Sequence, residues 1–270
     1  MFKFIKTKCL LIFIISYFFL SFSSFGQPTN VSVSFKKRSE FELSGLFSTF
    51  SSLFDRNEQP YLYSASLSLG LIIYNISDIS NPISIDTLPP SSFHNLNVNN
   101  LHQDGDYLYL SLGNFQGTTQ KAGLAILNVS DPSNVSVAAI WDSTTYMQGC
   151  AIVRTDGQYA YLGAMEDGII ILDISDKENP IFVSQFQPDP SWPGVANYPP
   201  NARGIEIRDN ILYLAYDAGG LRLIDISDKQ NPVQIAQYVN TNLITRALPA
   251  YNNIRLVGDY AFITVDFCGL

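Results

Sequence analysis

Histidine and cysteine are nearly missing from this chain, with two of the first and three of the second in 270 residues. His94 and His102 have no second His or Cys at metal-ligand spacing, so each is expected in a surface or capping role. Cys9 lies at the start of an N-terminal apolar run, which leaves Cys150 and Cys268. Two cysteines make no disulfide framework. They fall at non-equivalent positions of different repeats, so no bridge between them is expected, and Cys268 is available to a residue beyond position 270. A Gly-x-Ser-x-Gly elbow and a phosphate-binding glycine loop are both absent, and nothing marks a catalytic residue. Stretches of helical period are absent too. Aromatic and β-branched residues are abundant instead, so the chain reads as all-β.

Positive charge is also scarce: 16 Lys and Arg face 24 Asp and Glu, a formal charge of −8. Three of those lysines, Lys3, Lys6 and Lys8, precede an apolar run over 9–20, a Ser-rich segment and the small residues Ser24 and Gly26. That is the order of a secretory signal peptide over 1–26, and the run is short for spanning a bilayer. Cleavage after Gly26 removes three basic residues and no acidic ones and moves the charge to −11. A surface of that sign repels nucleic acid and anionic membrane. It suits solubility outside the cell. A secreted or cell-envelope protein, with no transmembrane span after cleavage, is expected.

What the chain does have is a repeat. Gly168-Ile-Ile-Ile-Leu-Asp-Ile-Ser-Asp-Lys-Glu-Asn-Pro180 returns as Gly220-Leu-Arg-Leu-Ile-Asp-Ile-Ser-Asp-Lys-Gln-Asn-Pro232 and as Gly70-Leu-Ile-Ile-Tyr-Asn-Ile-Ser-Asp-Ile-Ser-Asn-Pro82. A looser copy runs from Gly123 through Asn128-Val-Ser-Asp131 to Val135. The Ser-Asp pair recurs after 53, 45 and 52 residues, at Asp78, Asp131, Asp176 and Asp228. Ahead of each copy stands a short strand opened by Tyr61-Leu-Tyr63, Tyr107-Leu-Tyr109, Tyr159-Ala-Tyr161 or Ile211-Leu-Tyr213. Turn residues such as Asp104-Gly105-Asp106 and Asp156-Gly157 come just before, a hairpin signal.

The Gly-Leu-x-Ile strand is apolar on both faces until its Asn or Asp, which marks it as buried from both sides. The Ser-Asp-x-x-Asn-Pro that follows is a turn, with the Asp side chain bonding the backbone two residues on. Each unit is therefore a four-stranded antiparallel meander with two apolar faces. Arranging such sheets radially buries both faces against neighbours, which makes a β-propeller. The match of Asn75-Ile-Ser and Asn128-Val-Ser to a glycosylation sequon is a by-product of the repeat, because both lie in the buried strand.

Gly-Leu-x-Ile-x-Asp-Ile-Ser-Asp-x-x-Asn-Pro preceded by Tyr-x-Tyr resembles the LVIVD repeat family of secreted bacterial and archaeal β-propellers. The resemblance covers roughly 61–270, and the second copy departs from it at Asn128 and Val135. It implies a propeller fold and an extracytoplasmic setting. It supplies no catalytic residues, since the family is defined by its repeat. Residues 27–60 are expected to hold first-blade or ring-closing strands. The fifth unit breaks off at Gly269-Leu270, so a propeller incomplete in this chain is expected, with four blades, half of a fifth and about six to eight in the whole protein.

Length varies in only two places. The link from second to third strand stretches in the second unit by an insertion at 114–120, and the links between units run over 88–96, 142–149, 187–203 and 239–252. In an up-and-down meander both kinds of link emerge on one face, where loops carried on a constant scaffold tend to bind. The link over 187–203 holds five prolines, Trp192, Tyr198 and Arg203. An aromatic and an Arg there can stack on a sugar or grip a carboxylate, or can simply pack the loop onto the propeller. Glu166, Asp167 and Asp217 lie in equivalent second-to-third links on the same face. These carboxylates suit Ca²⁺ or acid–base work, although no EF-hand-like loop surrounds them and no cofactor is otherwise implied. Three functions stay open. One is a binding module for an extracellular protein or glycan; another is an extracytoplasmic hydrolase or lyase acting on carbohydrate; the third is a structural role in a larger surface protein.

Overall fold

The computed structural model describes residues 49–66, 68–114, 121–191, 200–242 and 250–266. The expected signal peptide, all of the 114–120 insertion but Asn114, Trp192, Tyr198 and positions 267–270 with Cys268 lie outside the described residues. Among the described residues, eighteen strands form four four-stranded sheets and one two-stranded sheet, every neighbouring pair antiparallel and in chain order. The first sheet is β1 (Thr49–Phe54), β2 (Tyr61–Ser66), β3 (Gly70–Asn75) and β4 (Ile83–Leu88). The second is β5 (Val98–Asp104), β6 (Tyr107–Gly113), β7 (Ala122–Asn128) and β8 (Ser136–Ser143). The third is β9 (Ile152–Thr155), β10 (Tyr159–Gly163), β11 (Ile169–Asp173) and β12 (Ile181–Phe186). The fourth is β13 (Gly204–Arg208), β14 (Ile211–Ala215), β15 (Leu221–Asp225) and β16 (Val233–Tyr238), and the last pair is β17 (Ala250–Val257) with β18 (Tyr260–Asp266).

The sheets stand side by side like blades. Their first strands touch in succession, β1 to β5, β5 to β9, β9 to β13 and β13 to β17, so these five are innermost. The fourth strands form the outer rim, β4 and β16 mostly exposed and β12 exposed at half of its residues. The result is a β-propeller whose sheets do not close into a ring among the described residues. Of the segment 27–60, the described part supplies the innermost strand of the first blade.

Four apolar layers lie between successive blades. The second, for example, packs Tyr109, Leu124 and Ile126 of one sheet against Val153, Leu162 and Ile170 of the next. A buried side chain of this size contributes roughly 1.5–3 kcal/mol, and a layer shared by two sheets makes neither stable without the other. The third strand is buried on both faces in three units, as its unbroken apolar run requires, β3, β7 and β11 being covered until their final Asn or Asp, whereas β15 is buried only at alternate residues, Arg222 and Ile224. That final residue then turns the chain. Asn75, Asn128, Asp173 and Asp225 each accept from the backbone N–H of the Ser two residues on, at 2.8–2.9 Å. Asp78, Asp131, Asp176 and Asp228 accept two residues on in the same way. The recurrent Asn or Asp is thus part of a double side-chain-to-backbone turn.

One regular feature has no counterpart in the sequence pattern. The pairing of third and fourth strands slips by one residue at the same place in all four sheets, between Ile73/Tyr74, Ile126/Leu127, Ile171/Leu172 and Leu223/Ile224. The bulge twists each outer strand and blunts an edge that carries exposed apolar residues such as Ile181 and Val233.

Candidate functional site

Two ends of the blades differ in kind. At one end sit the hairpin turns and the double Asp turns, joined in each blade by one backbone bond: Ile76 N–H to Pro60 O, Val129 to Asp106, Ile174 to Gln158 and Ile226 to Asn210, all 2.8 Å. At the other end the second-to-third links meet the links between blades. Ala202 N–H donates to Met165 O at 2.9 Å, and Asp217 exchanges backbone bonds with Tyr251. Gly113 and Gly149 approach so closely there that a Cβ on Gly113 would stand 2.3 Å from Gly149 Cα. The links of unequal length therefore do share one end.

The candidate residues at that end fall into separate groups. Asp217 accepts from Asn201 Nδ2 at 2.7 Å, and Arg203 Nε lies 3.6 Å from the same Asp217 oxygen. Asn201 Oδ1 is buried beside them without a hydrogen-bond partner. Glu166 and Asp167 use their backbone carbonyls to accept from Gln187 and Gln185, at 2.8 and 2.5 Å. Partial burial pushes the Asp167 carboxyl above the ordinary range, helped by the Glu166 charge, while a hydrogen bond from the Met147 backbone opposes the rise. The links are equivalent but the carboxylates are not. Met165 and Asp217 both adopt positive φ and both bridge to the next link, so Asp217 takes the place of Met165, and Glu166 and Asp167 correspond to Ala218 and Gly219. No group of three His, Cys, Asp or Glu is placed to hold a metal among the described residues.

His94 caps the short 3-10 helix Pro90–Phe93 in a left-handed conformation, and its Nδ1 lies 2.6 Å from Asp142 Oδ2. Partial burial raises the Asp142 carboxyl, but hydrogen bonds from His94 and Lys121 outweigh it and hold the carboxyl below its usual range. Cys150 is buried and free, its thiol pushed up to about 12 by burial.

Two groups of residues were not singled out by the sequence. Arg222 is fully buried at the loop end, stacked on the Tyr216 ring at 5.6 Å. It donates to the carbonyls of Gly219 and Asp189, and so ties the base of the 187–203 link to the blade. Its signal is an Arg inside an otherwise apolar strand, Leu221-Arg-Leu-Ile. The second group is at the opposite end, on the innermost strands. Register places His102 opposite Tyr109, Arg154 opposite Tyr161, Glu206 opposite Tyr213 and Arg255 opposite Phe262. These four occupy one equivalent position in successive blades, and with Arg56 they line a cavity of about 290 Å³. The signal is a spacing of seven residues to the paired aromatic in every case.

Comparison with known proteins agrees with this architecture. A family model for the LVIVD repeat matches residues 98–143, 152–187 and 200–240, which are the second, third and fourth blades. The first blade, with its copy at 70–82, folds identically in topology but falls outside the match. No curated protein matches the chain. Through these three repeats the chain belongs to the LVIVD repeat family.

Proposed function

We propose that this protein is a binding module of the secreted or cell-envelope compartment, and that its ligand, an extracellular protein or glycan, docks at the end where the unequal links converge. The observation that carries this is the contrast between ends. One end repeats the same Asp turns in all four blades, whereas the other gathers links of different length and composition on a backbone fastened by bridges and by Arg222. Loops on a rigid support bind with a smaller ordering cost. The 187–203 link carries Trp192 and Tyr198 in its sequence, both of a residue type favoured in contacts, and Arg203 and Asp217 bring a charge pair to that end.

The test is a glycan and protein array probed with the secreted chain. A ligand is expected whose binding falls about tenfold or more in a Trp192→Ala/Tyr198→Ala or an Arg203→Ala/Asp217→Ala variant. An empty array, together with turnover in a carbohydrate substrate panel that disappears in a Glu166→Ala/Asp167→Ala/Asp217→Ala variant, would replace this function by the hydrolase or lyase alternative.

A further inference from the structure

The cavity on the innermost strands has a charge imbalance that its own residues do not resolve. Arg56, Arg154 and Arg255 line it with one carboxylate, Glu206. Arg255 Nη1 donates to Glu206 Oε1 at 2.6 Å, and Arg154 Nε stands 3.8 Å from the same oxygen. Arg154 is only 16% exposed and its Nε is buried without a hydrogen-bond partner, although its Nη1 donates to Val153 O at 2.8 Å. The exposed side chain of Arg56 has no carboxylate partner among the described residues. Asp104 lies beside the lining, accepting from Thr155 Oγ1 at 3.3 Å. His102 adds no charge: burial and then the three guanidinium groups keep its ring neutral down to about 3. Counting the lining groups, three positive charges face one negative charge in a chain whose overall charge is −8.

The pattern along the repeats separates this cluster from the scaffold. Turn residues that build a blade recur in each one. The cavity position instead changes from Leu53 through His102, Arg154 and Glu206 to Arg255, although each of these residues pairs with the equivalent aromatic of its neighbouring strand. Guanidinium groups that converge on a concave surface match the oxygens of carboxylates and phosphates, with two donors per fork. A cavity of about 290 Å³ is at the small end for a ligand site.

We propose that this cavity, at the opposite end of the blades from the unequal links, binds a small doubly charged oxyanion of the phosphate or dicarboxylate kind, held by Arg56, Arg154 and Arg255. The oxyanion gives Arg56 its counter-charge, and Glu206, already paired with Arg255 and near Arg154, competes with it for the guanidinium groups.

Calorimetric titration of the full chain with inorganic phosphate and separately with succinate tests this, with sodium chloride at matched ionic strength as the third arm. Saturable binding of phosphate, of succinate or of both is expected, and the arm that responds identifies the oxyanion. Arg56→Gln/Arg255→Gln, at two exposed positions, should weaken binding about tenfold or more, and Glu206→Gln should tighten it about threefold. The proposal is overturned if neither anion binds beyond the chloride control, if the double Arg variant binds like the parent, or if a folded Glu206→Gln protein binds more weakly. Should Glu206→Gln fail to fold, the double Arg variant decides the matter.

Discussion

At Gly168 a methyl group has nowhere to go. Its φ is +79° and a Cβ would stand 2.3 Å from the carbonyl oxygen of Phe186, a backbone atom that cannot swing aside. Gly168→Ala should therefore cost about 2 kcal/mol or more in urea denaturation. Gly123 provides the contrast, because its φ is not positive and a Cβ would meet Leu96 Cδ1 at 3.1 Å and the Trp141 carbonyl oxygen at 3.2 Å, much looser than the 2.3 Å at Gly168. Gly123→Ala should cost clearly less. The repeat showed that a glycine belongs at this position but not that the second copy uses it differently. In the second copy β7 already begins one residue ahead of its glycine, at Ala122.

His102 makes a second prediction at this scale. Its pKa is lowered from 6.5 to about 3, first by burial and then by Arg154, Arg56 and Arg255. The unfolded chain binds its proton more readily between those two values. The stability that His102 contributes is therefore fully present above about pH 6.5 and is lost as pH falls toward 3. His102→Gln should flatten the acid limb of a stability–pH profile, and NMR of the parent should find the ring neutral at pH 5. A ring that titrates near 6.5 would contradict the buried, positively surrounded site. Sequence alone suggested a surface or capping residue, since neither the burial nor the three arginines from other blades are near it in the chain.

The strands were largely legible because each repeat carries its own turn chemistry. Gly-Leu-x-Ile ends at an Asn or Asp that must turn, and the Asp-Gly pairs close hairpins. What stayed hidden arises between elements. Lys177, after β11, stands 6.0 Å from the ring centres of Tyr107 and Tyr109 on β6 of the preceding blade, and donates to Gly157 O and Ile174 O. Lys229 repeats the arrangement over Tyr159 and Tyr161, at 5.5 and 5.9 Å. The first and second copies have Ile79 and Pro132 in its place, so the clamp joins only the later blades. Lys229→Met should cost about 1 kcal/mol by thermal or chemical denaturation, and Ile79→Lys has no such expectation of loss. Inside the third blade, Ile171 is fully buried on the strand covered from both sides. Ile171→Ala should cost about 2–5 kcal/mol. The outer-strand bulges were illegible for another reason: an extra residue in a strand changes pairing without changing composition, and Val183 looks like any other strand residue.

For the molecule as a whole, constancy and variation divide along the blade axis. The double Asp turns recur in all four blades, and apolar residues of the third strands contribute to the layers that hold neighbouring sheets together. The unequal links gather at the opposite end, where Arg203 and Asp217 pair and Arg222 anchors the longest link. The acidic residues there did not assemble into one centre, because Glu166 and Asp167 occupy different positions of the link from Asp217. The basic inner-strand cavity escaped a reading of motifs, since its members are about fifty residues apart and come together only when blades stand side by side.

The central claim is that the repeat builds and the unequal links bind. It is tested most directly by measuring array binding and melting temperature together for two variants. One is Trp192→Ala/Tyr198→Ala in the 187–203 link; the other is Asp176→Ala in a repeated turn, which removes the acceptor for the Glu178 N–H. The predicted result is a clean split: the first variant melts like the parent but loses the ligand, and the second melts lower but keeps it. A link variant that binds like the parent, or a folded Asp176→Ala protein that has lost binding, would contradict the account.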